Sequence, residues 1–179
     1  TYWYEDYYWA VGYKTNINGQ APAYDATKLG AYDAMFHTHG EPYSKWATTV
    51  GETVYAGNLA VVQSGSDLRD YYWEIYHIMG DPSLMPYMGV PTTNPATYPA
   101  QITVGQASYA ITGAAPYTRI GLTKDGVIHS SGMTDASGNL NLTIDPFTST
   151  GTAKLVLTAK NRITKIADID VVSSGGPYM

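Results

Sequence analysis

The chain has 179 residues, 10 Lys plus Arg against 15 Asp plus Glu, and a net charge of -5. With 44% hydrophobic and 14% charged residues it is globular, long enough for one ordinary domain or two small ones. Its scattered bases give no basic face for nucleic acid, no apolar run nears the roughly 18 residues of a membrane span, and the absence of cysteine excludes a thiol nucleophile, a disulfide or a Cys-ligated zinc within the chain.

The first half reads as helices and connecting loops. Glu5 to Lys14 is a first helical stretch. Asp25 is placed to cap a second, running to about His37, with Leu29, Tyr32 and Phe36 on one face and Gly40 stopping it. Thr49-Val50-Gly51-Glu52 has the form of a capping box, in which the Thr oxygen and the Glu carboxylate satisfy each other's backbone amides. It opens a helix from Val50 to about Gln63 expected to bury Val54, Leu59, Val61 and Val62, against the low propensity of Gly51 and Gly57. Asp67 to Met79 is a further helical candidate with Leu68, Tyr72, Ile75 and Met79 on one stripe, and its end reads equally as extended chain. Gly80-Asp81-Pro82 must break it, because proline lacks an amide proton and restricts the residue before it.

Composition changes near Asp81-Pro82. All four Trp (Trp3, Trp9, Trp46, Trp73) and most Tyr come before it, and the remainder is rich in Thr, Ser, Gly, Ala, Ile and Val. Two units are expected, 1–87 and 88–179, joined around Met88 to Tyr98, where Pro91, Pro95 and Pro99 stiffen the link. The second unit reads as β. Candidate strands are Gln101–Val104, Ala107–Ile111, Thr118–Thr123, Val127–Ser130, Leu140–Ile144, Ala153–Ala159 and Ile163–Val171. Ala153, Leu155, Leu157 and Ala159 alternate with Lys154, Val156, Thr158 and Lys160, a period of two with one buried face. Lys124-Asp125-Gly126 signals a hairpin, Asp135 to Asn139 a second turn and Lys160-Asn161 a third. Seven short strands without cysteine fit an Ig-like sandwich closed by apolar packing. The first unit, in contrast, carries large aromatic surfaces and few strands. It reads as the edge of a larger α/β domain, the alternative being a small Tyr-rich helical domain complete in itself.

Three stretches carry a resemblance: Tyr2-Trp3-Tyr4-Glu5-Asp6-Tyr7-Tyr8-Trp9, Thr49-Val50-Gly51-Glu52, and the aromatic run from Tyr72 that closes on Gly80-Asp81-Pro82-Ser83-Leu84. Followed by a β-rich unit, they resemble the end of the catalytic domain of the gingipain-like cysteine peptidases. The resemblance implies a caspase-like α/β parent domain, a Cys nucleophile and a His partner that both precede Thr1, and no catalytic residue in this chain. It implies a secreted or cell-surface protein, with the Ig-like domain standing before a secretion module. It implies that Trp3 lines the pocket for the P1 side chain of a peptide substrate, where an aromatic face attracts a cationic group; Trp9 is a second candidate for that role. The start at Thr1 without Met reads as a trimmed chain or a fragment. The expected partner is the missing earlier part of the catalytic domain, or a second copy meeting the exposed apolar face. The alternative reading is a surface adhesin or binding module on a degenerate peptidase scaffold.

Other constellations carry weaker chemistry. His37-Thr38-His39 has the look of a metal pair, but i and i+2 do not share a helix face, and a His near a helix C-terminus serves the last carbonyls. Glu74 and His77 have the E-x-x-H spacing of a carboxylate-bridged metal site without the second copy such sites need. Ser44, His39 and Asp33 can be assembled into a hydrolase triad, but no G-x-S-x-G elbow presents the serine. Asp168 and Asp170 read as charges on a solvated sheet edge in preference to a calcium site, and Asn141-Leu142-Thr143 is a glycosylation sequon inside a strand. No cofactor and no metal are expected.

Overall fold

The capping box at Thr49 and Glu52 is the clearest element of the first unit in the computed structural model, which describes residues 26, 27 and 29–175. The chain divides into two units, Thr1–Pro86 and Tyr87–Met179. In the first, the described helices are α1 (Ala31–Phe36), α2 (Val50–Gln63) and α3 (Arg69–Ile75), with a single 3-10 turn at Tyr43–Lys45. Helix α2 has the bounds its sequence suggests. Thr49 Oγ1 accepts from the Glu52 amide at 3.2 Å, and Glu52 Oε2 accepts from the Thr49 amide at 3.0 Å. The same carboxylate oxygen accepts from the Thr48 amide at 2.6 Å and hydroxyl at 2.8 Å.

Three expectations are corrected here. Helix α1 starts at Ala31, and its N-terminus is held by Asp33, whose Oδ2 accepts from the Gly30 amide at 2.9 Å. It ends at Phe36 because His37 turns into the left-handed region at φ 41°, three residues before Gly40. Tyr32 and Phe36 are not its buried face. They are 45% and 46% exposed, with ring centroids 5.9 Å apart, while Ala31, Asp33, Ala34 and Met35 are buried. Small side chains on that side let α1 approach α2, which is why the bulky ones face outward.

In α2, Val61 is fully buried, Val54 and Leu59 are half-buried, and Val62 is exposed. Of the stripe expected for α3 only Tyr72 is buried; Leu68 precedes the helix, Ile75 ends it with an exposed side chain, and Met79 lies beyond it, since the chain turns extended at Tyr76. The buried cluster of this unit consists of Ala31, Val61 and Tyr72, with Tyr76 packed against it. Among the described residues of the unit there is no strand. No described helix is long and apolar enough to cross a membrane. The expected helix at Glu5–Lys14, and Asp25, lie outside the described residues.

The second unit contains β1 (Gln101–Thr103), β2 (Ser108–Ile111), β3 (Arg119–Lys124), β4 (Val127–Met133), β5 (Leu140–Thr143), β6 (Gly151–Thr158) and β7 (Lys165–Val172). They form a five-stranded sheet in the order β1-β7-β6-β3-β4 and a two-stranded sheet β2-β5. All pairs are antiparallel except β1 with β7, where Gln101 faces Asp170 and Thr103 faces Val172. One core cluster takes side chains from both sheets. Tyr109, Ile111 and Leu142 come from the small sheet, and Ile120, Leu122, Leu155, Leu157 and Ile169 from the large one. Burying each of the larger aliphatic side chains contributes about 1.5–3 kcal/mol. The alternation in β6 is realised, with Ala153, Leu155 and Leu157 each 0% exposed.

The turns follow their residue types. Asp125 and Gly126 have φ of 52° and 80°, the pair of positive angles a type I′ hairpin requires. Asp135 holds the next turn by accepting from the Ser137 amide at 2.8 Å and the Asn139 amide at 2.9 Å. A buried polar network joins the loops. Asn94 Nδ2 donates to Thr118 Oγ1 at 2.9 Å, Asn94 Oδ1 accepts from the Ala115 amide at 3.1 Å, and Thr134 Oγ1 accepts from the Thr118 amide at 2.9 Å. Asp168 and Asp170 are exposed as expected, but β7 is not an edge. The parallel strand β1 covers its free side, and Asp168 pairs with Lys154 of β6.

Candidate functional site

Two places in the first unit bring chemistry-bearing groups together, and both depend on how α2 and α1 are anchored. At the start of α2, four amides are left without intrahelical partners by the helix geometry. The capping box serves Thr49 and Glu52. Gly80-Asp81-Pro82-Ser83-Leu84 serves the other two: the Val50 amide donates to the Leu84 carbonyl at 3.0 Å and the Gly51 amide to the Pro82 carbonyl at 2.9 Å. The segment is shaped for this. Asp81 Oδ1 accepts from the Ser83 amide at 2.8 Å and the Ser83 hydroxyl at 2.7 Å. Those bonds, the hydroxyl's first, hold the exposed Asp81 carboxyl below its ordinary value. Gly51 is the residue this contact requires. A Cβ there meets Pro82 Cβ and the Pro82 carbonyl oxygen, each at 3.0 Å.

Beside this junction lies a pocket of about 440 Å3, lined by α1, the 3-10 turn and α2. Leu29, Trp46, Tyr55 and Leu59 give it apolar walls, and Ser44 and Lys45 give it a hydroxyl and an ammonium group. Glu52 also lines it, with its carboxylate already engaged in the cap.

The second place is the turn after α1. His37 and His39 part company. The His37 ring stacks on Trp46 with centroids 3.6 Å apart and planes at 17°, and Trp46 Nε1 donates to the Glu41 carbonyl at 2.7 Å. His39 instead joins Asp33 and Glu41, with ligand-type atoms of all three within 4.8 Å of one another. Asp33 is 4% and Glu41 6% exposed. Glu41 Oε2 accepts from the His39 amide at 3.1 Å, and Glu41 Oε1 lies 3.5 Å from His39 Nδ1. Burial raises the Asp33 carboxyl above its ordinary value. The Gly30 amide acts against that, Glu41 adds to it, and His39 opposes it. Asp33 and His39 of the imagined triad thus do meet, and Glu41, which the sequence does not single out, stands with them; Ser44 lines the neighbouring pocket. The signal that could have marked Glu41 is its spacing of two from His39 in a turn, where successive side chains are not bound to helix faces.

Elsewhere, Glu74 is on α3, while His77 lies beyond the helix end in extended chain, and both are exposed. The helical spacing that would align them is broken. Asn141 is exposed on β5. Trp3 and Trp9 lie outside the described residues.

No family model matches the sequence. Among curated proteins, Lys-gingipain of Porphyromonas gingivalis is 38% identical over 186 residues, covering 99% of this chain and 10% of that protein. The chain thus spans about a tenth of the length of the curated relatives it matches. A solved structure described as a protease matches 96% of this chain and 38% of its own at 36% identity, with a TM-score of 0.75. The crystal structure of the Arg-specific cysteine proteinase gingipain R shares the fold, with a TM-score of 0.67 at 17% identity over 88% of this chain and 39% of that one.

Proposed function

The chain belongs to the gingipain-like peptidase family, and from that premise we propose that it is the C-terminal piece of a secreted gingipain-like cysteine endopeptidase. In this reading residues 1–87 complete the catalytic fold and one wall of the substrate cleft, and residues 88–179 are the Ig-like β-sandwich that follows in the chain. The observation that carries the reading is continuity. One related structure matches 96% of the chain, across both units, at a TM-score of 0.75.

Three features support it. The first unit leaves Tyr32, Phe36, Tyr55, Tyr71, Trp73 and Ile75 between 41% and 56% exposed around a buried cluster of Ala31, Val61 and Tyr72, as an edge built to be covered by further polypeptide would. The strand order β1-β7-β6-β3-β4 beside β2-β5, with a parallel first and last strand, suits an Ig-like sandwich. The segment Gly80 to Leu84 that carries the resemblance is seated on the N-terminus of α2.

The chain has no cysteine, so the thiolate comes from the rest of the parent protein, and in the family reading its histidine partner does too. There the reaction is peptide-bond hydrolysis: the thiolate attacks the carbonyl carbon, the amine leaves with a proton from the His, and water releases the acyl group from the thioester. Trp3 serves as a wall of the P1 pocket, facing a cationic side chain.

The test combines this chain with the polypeptide that precedes it in the parent and follows cleavage of peptide amides with Lys or Arg at P1. The chain alone is inactive, the combination is active, and Trp3→Ala raises KM more than it lowers kcat. Full activity of the preceding part without this chain sinks the reading. So does a stable but inactive complex of the two. The chain alone also binds a hydrophobic dye or dimerises through its apolar face, and a dye-negative monomer counts against the fragment assignment.

A further inference from the structure

We propose that Asp33, His39 and Glu41 form a binding site for one divalent transition-metal ion of the zinc class. Three ligand atoms no more than 4.8 Å apart share a centre within about 2.8 Å of each. Zinc bonds to His nitrogen and carboxylate oxygen run roughly 2.0–2.2 Å, so the three side chains need to close on that centre by less than about 1 Å.

The surroundings suit a bound ion better than a surface cluster of acids. Both carboxylates are buried, at 4% and 6% exposure, and charge that is buried is ordinarily paired or bound to a metal. Each is oriented by a backbone amide on one of its oxygens, Gly30 for Asp33 at 2.9 Å and His39 for Glu41 at 3.1 Å. Such bonds around the ligands fix their direction. The imidazole decides the class of ion. Calcium and magnesium take oxygen ligands, while one nitrogen with two carboxylates suits Zn2+ and its neighbours. His39 is the way in, its side chain being 33% exposed. The turn that makes the site is local. His37 in the left-handed region ends α1 and its ring stacks on Trp46, which brings His39 and Glu41 back against Asp33 on α1. Three protein ligands leave a coordination position for water.

Calorimetric titration of the whole 179-residue chain with ZnCl2 at pH 7 tests this. One ion binds per chain. His39→Ala and Asp33→Asn each lower the affinity at least tenfold, and His77→Ala and His129→Ala, at histidines outside the turn, leave it unchanged. His39 is on the surface, so its variant keeps the unliganded thermal midpoint and the loss is one of ligation. If Asp33→Asn fails to fold, His39→Ala decides alone. No binding overturns the proposal, as does binding that His39→Ala leaves intact or that His77→Ala abolishes equally. Calcium binding as tightly as zinc overturns the assignment to the zinc class.

Discussion

Gly51→Ala sets two effects of opposite sign against each other. In an open helix the change stabilises by about 1 kcal/mol, because alanine loses less backbone entropy than glycine. At the start of α2 the added methyl sits 3.0 Å from Pro82 Cβ and 3.0 Å from the Pro82 carbonyl oxygen, inside the roughly 3.5–4.0 Å of a good carbon contact. Pro82 must retreat, and it carries the carbonyl that accepts from Gly51, with the Leu84 carbonyl that accepts from Val50 close behind. Overpacking costs about 1–3 kcal/mol and each weakened bond about 1 kcal/mol. The clash wins, and the first unit loses about 2–4 kcal/mol net.

All four Trp lie before Asp81, so tryptophan fluorescence during urea unfolding reports that unit alone. In a Pro82→Gly background the facing Cβ is gone and the chain can yield, and the penalty shrinks by about 1 kcal/mol. A Gly51→Ala protein that is more stable than the parent by about 1 kcal/mol would refute the docking of Gly80 to Leu84 on α2.

Further outcomes follow from particular contacts. Gly138→Ala places a methyl 1.9 Å from the Ala114 carbonyl oxygen at φ +77° and abolishes folding of the second unit, while Gly126→Ala at φ +80° meets nothing within 4 Å and costs only about 1–2 kcal/mol; far-UV circular dichroism separates them, and similar midpoints refute the close approach. Asn94→Ala strands the Ala115 amide and takes the Nδ2 donor from Thr118 Oγ1, which keeps its bond to the Ala115 carbonyl; it costs about 1–3 kcal/mol in urea unfolding, a loss under 0.5 kcal/mol contradicting a buried network. The Asp81 carboxyl titrates below 3.8 in the folded chain, so its contribution to stability is present above 3.8 and is lost as pH falls through the folded midpoint. Ser83→Ala moves that midpoint upward by NMR, and an unmoved midpoint removes the hydroxyl as its main cause.

The second unit was legible where contacts are local. Alternation gave the buried face of β6, and Asp125-Gly126 gave its hairpin because only a few residue types accept two positive φ angles. The capping box likewise marked the start of α2 at Val50. What the sequence hid was non-local. Nothing near Asp168 announces that a strand about 70 residues earlier will pair with β7, so the strand read as an edge. Helical periodicity finds a stripe at Tyr32 and Phe36 but cannot say which stripe faces a neighbour, and the small Ala31 and Ala34 took that role. The meeting of Asp33, His39 and Glu41 depends on the backbone angle at His37, which spacing alone does not encode; the H-x-H pattern contains His39 but pairs it with His37 instead of with Asp33 and Glu41.

The pairing of β1 with β7 has a mechanical meaning. Because the two run parallel, the chain enters the unit at one end of the pair and leaves it at the other. Tension between the flanking segments therefore slides the strands past each other instead of peeling them apart. The bonds from Asp170 to Ala100 at 3.1 Å and from Val104 to Val172 at 2.8 Å share such a load, and they must give way together.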